Sequence, residues 1–357
     1  MIGALGRIAV VIGVLCCATT CCAAGAQSRA SSIARTSPHA VRFVSWNIGA
    51  NSVVPRYGVV FDTLALSRPA AFARVMRALH ADVICLQEFS AGPARARALL
   101  DVIDPLPDGR HWHAFSALGN VLLSRFDLMQ PTSRKFRHWV SHRAHIVARV
   151  RLPDSVSAFD PVVACAHLQA KRGRANVALR QRQADTIVAD LLRRRAANVQ
   201  LHVPVVVLGD LNVVDEPARY MESLLMLPLE DAAPRHNAFH NAFRNASRDA
   251  FYDSFYDGSE HASRMNDYTW RDDRQRFPPG RLDRVLYDDA AFELAQSFVL
   301  NTLTLDPAEL RAFGLRASDT LRDATVGWYD HLPLVVDLTA RDRRLPHDSS
   351  GAPRPSR

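Results

Sequence analysis

Six apolar runs of strand length carry an acidic, amide or imidazole side chain at or beside one end, and this placement constrains the chain more than any other feature. Asn47 ends VRFVSWN (41–47), Glu88 ends VICLQE (83–88), His167 ends PVVACAH (161–167), and Asp210 and Asn212 end VPVVVLGDLN (203–212). Asp283 interrupts RLDRVLYD (281–288), and Asp330 and His331 stand directly before LPLVVDL (332–338). Polar side chains are costly inside a core and cheap at its rim, and strand ends that converge on one rim assemble a site from distant sequence positions. Asp210 and Asn212 are two residues apart, so both leave an extended strand on the same face. Singly, each of these residues is an ordinary turn former or helix cap. Only the set of them points to a site.

The residue types suit phosphoryl chemistry. Glu88 is a natural hard-oxygen ligand for Mg²⁺, which takes one or two carboxylates and fills its other positions with water and phosphate oxygens. Asp210 can orient and deprotonate an attacking water. Asn47 and Asn212 donate neutral hydrogen bonds to phosphate oxygens, and His167 and His331 supply protons or positive charge to the transition state and leaving oxygen. A nearby carboxylate, Asp283 or Asp330, would hold one imidazole in tautomer and charge.

Around these runs the chain reads as one domain over 41–340. PAAFARVMRAL (69–79) places Phe72, Val75, Met76 and Leu79 on one helical stripe with Pro69 in the first turn, and a second helix is expected over 174–195. NVLLSR (120–125) and HIVARVRL (145–152) add strands, and 48% hydrophobic content supplies a full core. Strands joined partly by helices and partly by short turns predict an α/β fold of two packed mixed β-sheets with helices outside. Residues 1–26 are expected to be a signal peptide, with Arg7, an apolar Ile8 to Leu15 run and a small-residue Ala24-Gly25-Ala26 cleavage site; an uncleaved anchor or a lipoprotein are the alternatives. The protein is thus expected to be exported, periplasmic or secreted. Residues 27–40 form a flexible linker and 341–357 a disordered tail, while 234–267 and 302–328 are too long and polar for ordinary turns. Past the leader only Cys85 and Cys165 remain, both in apolar runs. Two buried free thiols are the expectation, and a disulfide between them is the alternative. The net charge of +8 is nearly all arginine, with Lys135 and Lys171 the only lysines, so it says little about a nucleic-acid partner.

The pieces WNI (46–48), LQE (86–88), GNVLLSR (119–125), HL (167–168), GDLN (209–212), YTW (268–270), LDRVLY (282–287) and DHLPLVV (330–336) together resemble the endonuclease/exonuclease/phosphatase superfamily, the deoxyribonuclease I-like phosphoesterases. The resemblance covers about residues 41–339, and GDLN and the final Asp-His-x-Pro are its most specific parts. It implies a four-layer α/β sandwich with the site at one rim. It also implies Glu88 as principal metal ligand, with Asn47 and Asp330 as further metal-site residues. Asp210 and Asn212 would stand at the water and phosphate, and His167 and His331 would flank the phosphate, Asp283 supporting His331. The cofactor so implied is Mg²⁺, with Mn²⁺ as a substitute. Tyr329 stands where the family usually has serine, and its bulk is expected to narrow or cover the site. Arg143, Tyr329 and Trp270 are further candidates for substrate contact.

No P-loop, Rossmann glycine triplet, HExxH or GxSxG occurs, so nucleotide-driven, redox, zinc-protease and lipase chemistry lose their usual support. The expectation is a metal-dependent phosphodiesterase of nuclease type, monomeric and without a nucleotide cofactor. A phospholipid-directed phosphodiesterase or phosphatase is the alternative, favoured by the aromatic cluster Phe251, Tyr252, Phe255 and Tyr256. A decayed binding module is a third reading, opposed by a competent residue at every expected catalytic position.

Overall fold

Strands that are apolar on both faces need cover on both faces, and the fold provides it. The computed structural model describes residues 33–49, 63–89, 93–136, 143–196, 203–212, 268–275, 277–288, 291–323 and 327–341. Strand β1 (Val41–Asn47) sends Val41 and Phe43 to one side and Val44 and Trp46 to the other, the two-residue period of an extended chain.

In chain order the remaining strands are β2 (Val83–Phe89), β3 (His113–Ala117), β4 (Gly119–Ser124), β5 (Leu128–Lys135), β6 (Ala144–Val150), β7 (Val162–His167), β8 (Val205–Asp210), β9 (Trp270–Arg271), β10 (Asp283–Tyr287), β11 (Phe292–Val299), β12 (Asp330–His331) and β13 (Leu334–Ala340). The helices are α1 (Thr63–Leu79), α2 (Pro93–Ile103), α3 (Arg174–Ala196) and α4 (Pro307–Ala312). One sheet runs β11-β13-β1-β2-β4-β3, a second runs β10-β8-β7-β6-β5, and β12 pairs with β9 apart from both.

Phe43, Val83, Cys85, Leu122, Ile146, Cys165, Val206 and Leu208 meet between the large sheets. Trp46, Phe72, Val75, Leu79 and Leu99 fill the space between the first sheet and helices α1 and α2, and Ala164, Ala184, Ile187, Leu191 and Val207 do so between the second sheet and α3. The result is the expected sandwich of two packed mixed sheets flanked by helices. One charged pair is sunk in it: Arg42 Nε and Asp337 Oδ1 lie 2.6 Å apart, and Arg42 Nη1 also donates to the carbonyls of Ile33 and Leu79. Buried charges are tolerated on these terms, paired and hydrogen-bonded.

Two expectations need correction, and the 302–328 stretch, read only as too long and polar for ordinary turns, takes on structure. Helix α1 begins at Thr63, so Pro69 lies inside it rather than in its first turn. The 302–328 stretch is folded where described, with α4 closed by a capping box between Asp306 and Glu309 and with Asp319 paired to Arg74. Cys85 and Cys165 are not free thiols: they form a disulfide across the two sheets, with Cα atoms 5.4 Å apart. Each strand run shows only that its cysteine is buried; that the two face one another depends on how the sheets stack. The leader, linker residues 27–32, the 234–267 loop and the tail from 342 lie outside the described residues. Among the described residues no helix is long and apolar enough to cross a membrane.

Candidate active site

Strand polarity gathers the site. β1 and β2 run parallel, as do β7 and β8, so Asn47, Glu88, His167 and Asp210 all reach the same rim at C-terminal strand ends. β10 is antiparallel to β8 and begins there with Asp283 opposite Asp210, while His167 stands opposite Asp210 on the other side. β13 is antiparallel to β1, so the Asp330-His331 pair that precedes it arrives at this rim as well.

Asp210 is the hub. Its Oδ2 accepts from Asn47 Nδ2 at 3.1 Å and lies 3.3 Å from His167 Nε2 and 3.6 Å from His331 Nε2, and its Oδ1 accepts the Asn212 backbone N–H at 3.0 Å. Burial alone would raise its pKa, but the His331 and His167 charges and the bonds from His167 and Asn47 outweigh that and hold the carboxyl well below the usual range. His331 Nδ1 meets Asp283 Oδ2 at 2.8 Å. Burial pulls the imidazole pKa down, yet the Asp283 and Asp210 charges prevail and lift it to about 10, so His331 is a cation at neutral pH. Asp283, fully buried, is pushed up by desolvation while His331 pulls it the other way. Between the two alternatives for the supporting carboxylate, the geometry selects Asp283.

The second ring of contacts fixes this core. Asn212 Nδ2 donates to the Leu168 carbonyl at 3.0 Å, and the Arg143 guanidinium donates to the same oxygen. Arg143 is therefore at the site; burial lowers its pKa, while the charges of Asp210 and Glu88 favour its cation. Glu88 sits where β2 carries one extra residue relative to β4 between Leu86 and Phe89, a bulge that re-aims its side chain, with φ at +56°. Asn47 Oδ1 accepts the Gly49 N–H at 3.0 Å, which holds the amide in place. Asp330 is half-buried on β12 and paired with Arg322.

One candidate falls elsewhere and one borders the site. Tyr329 is 5% exposed and turns into the inter-sheet core against Tyr268, their ring centroids 6.4 Å apart, so it does not cover the site. Trp270 is half-buried in β9, paired with His331 through the backbone. Sequence reasoning missed three residues. Thr269 Oγ1 accepts the N–H groups of Leu282 and Asp283 at 3.0 and 3.1 Å and so places the carboxylate that holds His331; it lies inside the YTW motif, where a lone threonine carries no signal of its own. Arg322, which pairs with Asp330, and Trp328, on whose ring Arg322 lies, gave no signal in an arginine-rich chain.

The donor chemistry fits a magnesium ion. Glu88 and Asp330 are hard-oxygen carboxylates at one rim, and Mg²⁺ needs no more than these because water completes its octahedron. Among the described residues no group of three His, Cys, Asp or Glu side chains is placed to hold a metal ion by itself.

Fold and rim together define a hydrolase of phosphoric esters. The chain belongs to the Endonuclease/Exonuclease/phosphatase family, whose model matches residues 44–319. Among solved structures it is similar to ANGEL2, a 2',3'-cyclic phosphatase in complex with adenosine-2',3'-vanadate (TM-score 0.54, 15% identity, 84% of this chain and 96% of that one). It is similar also to D. rerio TDP2 complexed with a single-strand DNA product (TM-score 0.51, 14% identity, 84% and 99%) and to truncated Caenorhabditis elegans TDP2 (TM-score 0.51, 15% identity, 84% and 98%). No curated protein sequence matches.

Proposed function

We propose that this protein is an exported, Mg²⁺-dependent phosphodiesterase of nuclease type, acting as a monomer. The observation that carries the reading is the Asp210 carboxylate, buried and held anionic between two imidazoles, with a hard-oxygen metal donor, Glu88, on the neighbouring sheet. A magnesium ion bound by Glu88 and Asp330 would neutralise charge on the phosphoryl oxygens.

The remaining chemistry belongs to the chain. Asp210 orients the attacking water; a carboxylate held this acidic takes the proton only as the oxygen bonds to phosphorus. His331, kept cationic by Asp283, faces the charge that builds on the phosphoryl group. His167 gives a proton to the departing alkoxide, and Asn47, Asn212 and Arg143 hold the phosphate in line. Water adds to phosphorus, the P–O bond to the leaving group breaks, and the products are an alcohol and a phosphomonoester.

Two supports bear on the finer points. The disulfide suits an oxidising compartment, in line with the leader-like first 26 residues. ANGEL2 and D. rerio TDP2 carry nucleotide-type ligands, which makes nucleic acid the first substrate class to try. The phospholipid alternative leaned on the aromatic cluster at 251–256, which lies outside the described residues.

The test is a panel of plasmid DNA, RNA, sphingomyelin, a phosphoinositide and bis-p-nitrophenyl phosphate, each with Mg²⁺ or EDTA, beside the His167→Ala protein. Cleavage of a nucleic acid that needs metal and is lost in the variant is expected. Cleavage of the lipid substrates alone would move the assignment to the phospholipid branch, and cleavage of none would revive the binding module.

A further inference from the structure

Beside the reacting centre, two arginines share one indole. Arg322 Cζ lies 4.5 Å and Arg274 Cζ 3.3 Å from the ring centroid of Trp328, two residues before Asp330. Arg322 is paired with the Asp330 carboxylate. It also packs onto Gly49, two residues past Asn47: a β-carbon there would come within 3.0 Å of Arg322 Cζ and 3.2 Å of Asp330 Oδ2, and Gly49 adopts φ +64°. The rim is shaped to receive this guanidinium, which bridges the β1 end and the Asp330-His331 pair. Arg274 continues outward; its Nε is 3.2 Å from Asp272 Oδ1, and its side chain is 56% exposed against 4% for the aspartate.

We propose, on the nuclease reading above, that Arg322 and Arg274, stacked on Trp328, form a second anion subsite that takes the phosphate flanking the scissile one in a nucleic acid strand. Stacking on an aromatic face fixes a guanidinium without using its N–H donors; Arg322 spends Nη1 on Asp330 and Arg274 spends Nε and Nη2 on Asp272, and the rest of each fork faces a phosphate. Their arrangement also has an order: Arg322 is paired with Asp330, and Arg274, with a side chain 56% exposed against 28% for Arg322, is the more solvent-facing of the two. A chain that continues past the scissile phosphate meets the second cation, and a compact monoester stops short of it. A lipid surface is the poorer match. Among the described residues the exposed large apolar side chains are Leu118, Phe277 and Leu303, and Phe277 lies under Arg172. Bases, by contrast, stack on indole and guanidinium planes.

The experiment compares kcat/KM for a short single-stranded oligonucleotide with that for bis-p-nitrophenyl phosphate in wild type, Arg274→Ala, Arg274→Glu and Arg274→Lys. Arg274 is exposed, so the variants should fold. The ratio is expected to fall about tenfold in the alanine variant, the order of one charge-assisted contact, further in the glutamate variant, and partway in the lysine variant. The slope of log affinity against log salt should flatten by roughly 0.7, the amount for one phosphate contact on a single strand. Anisotropy of a labelled oligonucleotide in EDTA reads the same contact without turnover, so a wild type that binds the strand but does not cleave it would defeat the nuclease reading and still test the subsite. Equal ratios, salt slopes and anisotropy across the four proteins would overturn the subsite. A selective loss on phosphoinositide vesicles instead would overturn its assignment to nucleic acid.

Discussion

Asp283 acts through His331, and its replacement should separate positioning from binding. The carboxylate is wholly buried and holds Nδ1 of His331 at 2.8 Å, which keeps the imidazole cationic with Nε2 toward Asp210. Asp283→Asn preserves shape and removes that charge. With bis-p-nitrophenyl phosphate, kcat is expected to fall by about 10²-fold or more with KM little changed, in the range for an acid–base group set in the wrong state; a loss carried by KM alone would assign Asp283 to substrate binding. The same scale shows what the sequence could and could not disclose. Glu88, Asn212 and Asp330 are three of the seven non-glycine residues with positive φ among those described, each costing roughly 1–3 kcal/mol that the surrounding fold must override. Asparagine tolerates that conformation and so hints at it, whereas nothing in a glutamate does. Gly209 in GDLN is similar. A β-carbon there would stand 1.8 Å from the Ala166 carbonyl, a requirement created by the parallel pairing of β7 and β8 and invisible in the motif itself.

At the scale of elements, α3 is tied to the second sheet by more than its apolar stripe. Arg180 and Gln183, buried on that helix, hold the turn after His167: Arg180 Nη1 donates to the Gln169 and Lys171 carbonyls at 2.9 and 2.7 Å, and Gln183 Oε1 accepts the Gln169 N–H at 2.8 Å. Farther along, Asp190 reaches buried His145 on β6 at 2.6 Å and Arg134 on β5 at 3.0 Å. Burial would raise the Asp190 pKa, but the His145 bond and charge, with Arg193 and Arg134, bring it down to about 2. A depressed carboxyl stabilises the fold above its unfolded pKa of 3.8 and ceases to do so as pH falls through about 2. Asp190→Asn should therefore lower the urea midpoint at pH 7, and the gap to wild type should close between pH 4 and 2, in the ~2-unit window these values set. A gap that stays constant with pH would mean that packing, not the charge, is what the aspartate supplies. Elements with strong apolar patterns, such as β1, β2, β7, β8 and α3, were legible from period alone. β3, β5 and β11 were not, because as partly exposed strands they alternate weakly and take their shape from their neighbours. α2 opens on PARAR, where polarity hides the helix until Leu99 packs beneath it.

Across the whole molecule, the site exists only because two sheets meet in one register, and the Cys85–Cys165 bond is the covalent record of that meeting. The two cysteines were legible as buried, but their pairing was not, since it is set by the stacking of sheets that share no local sequence. Cys85 lies three residues before Glu88 on β2 and Cys165 two before His167 on β7, so the bond joins the strand that carries Glu88 to the strand that carries His167. It closes a loop with a sequence separation of 80 residues, and a cross-link over that span is worth about 2–4 kcal/mol, chiefly by restricting the unfolded chain. Protein refolded under reductant should therefore melt lower by roughly 5–15 °C, at a few degrees per kcal/mol for a domain of this size. The Cys85→Ala, Cys165→Ala double variant should match that value and ignore reductant. Refolding matters because a bond between fully buried sulfurs is shielded from reductant in the native state. If the bond acts only on the unfolded chain, the reduced and oxidised proteins will differ in melting temperature and agree in kcat at temperatures where both are folded. If it also holds Glu88 and His167 in register, kcat will fall with its loss while KM for bis-p-nitrophenyl phosphate stays put, since a displaced acid and metal donor weaken the transition state more than the ground state. A melting temperature indifferent to refolding under reductant would show that sheet packing alone fixes the register.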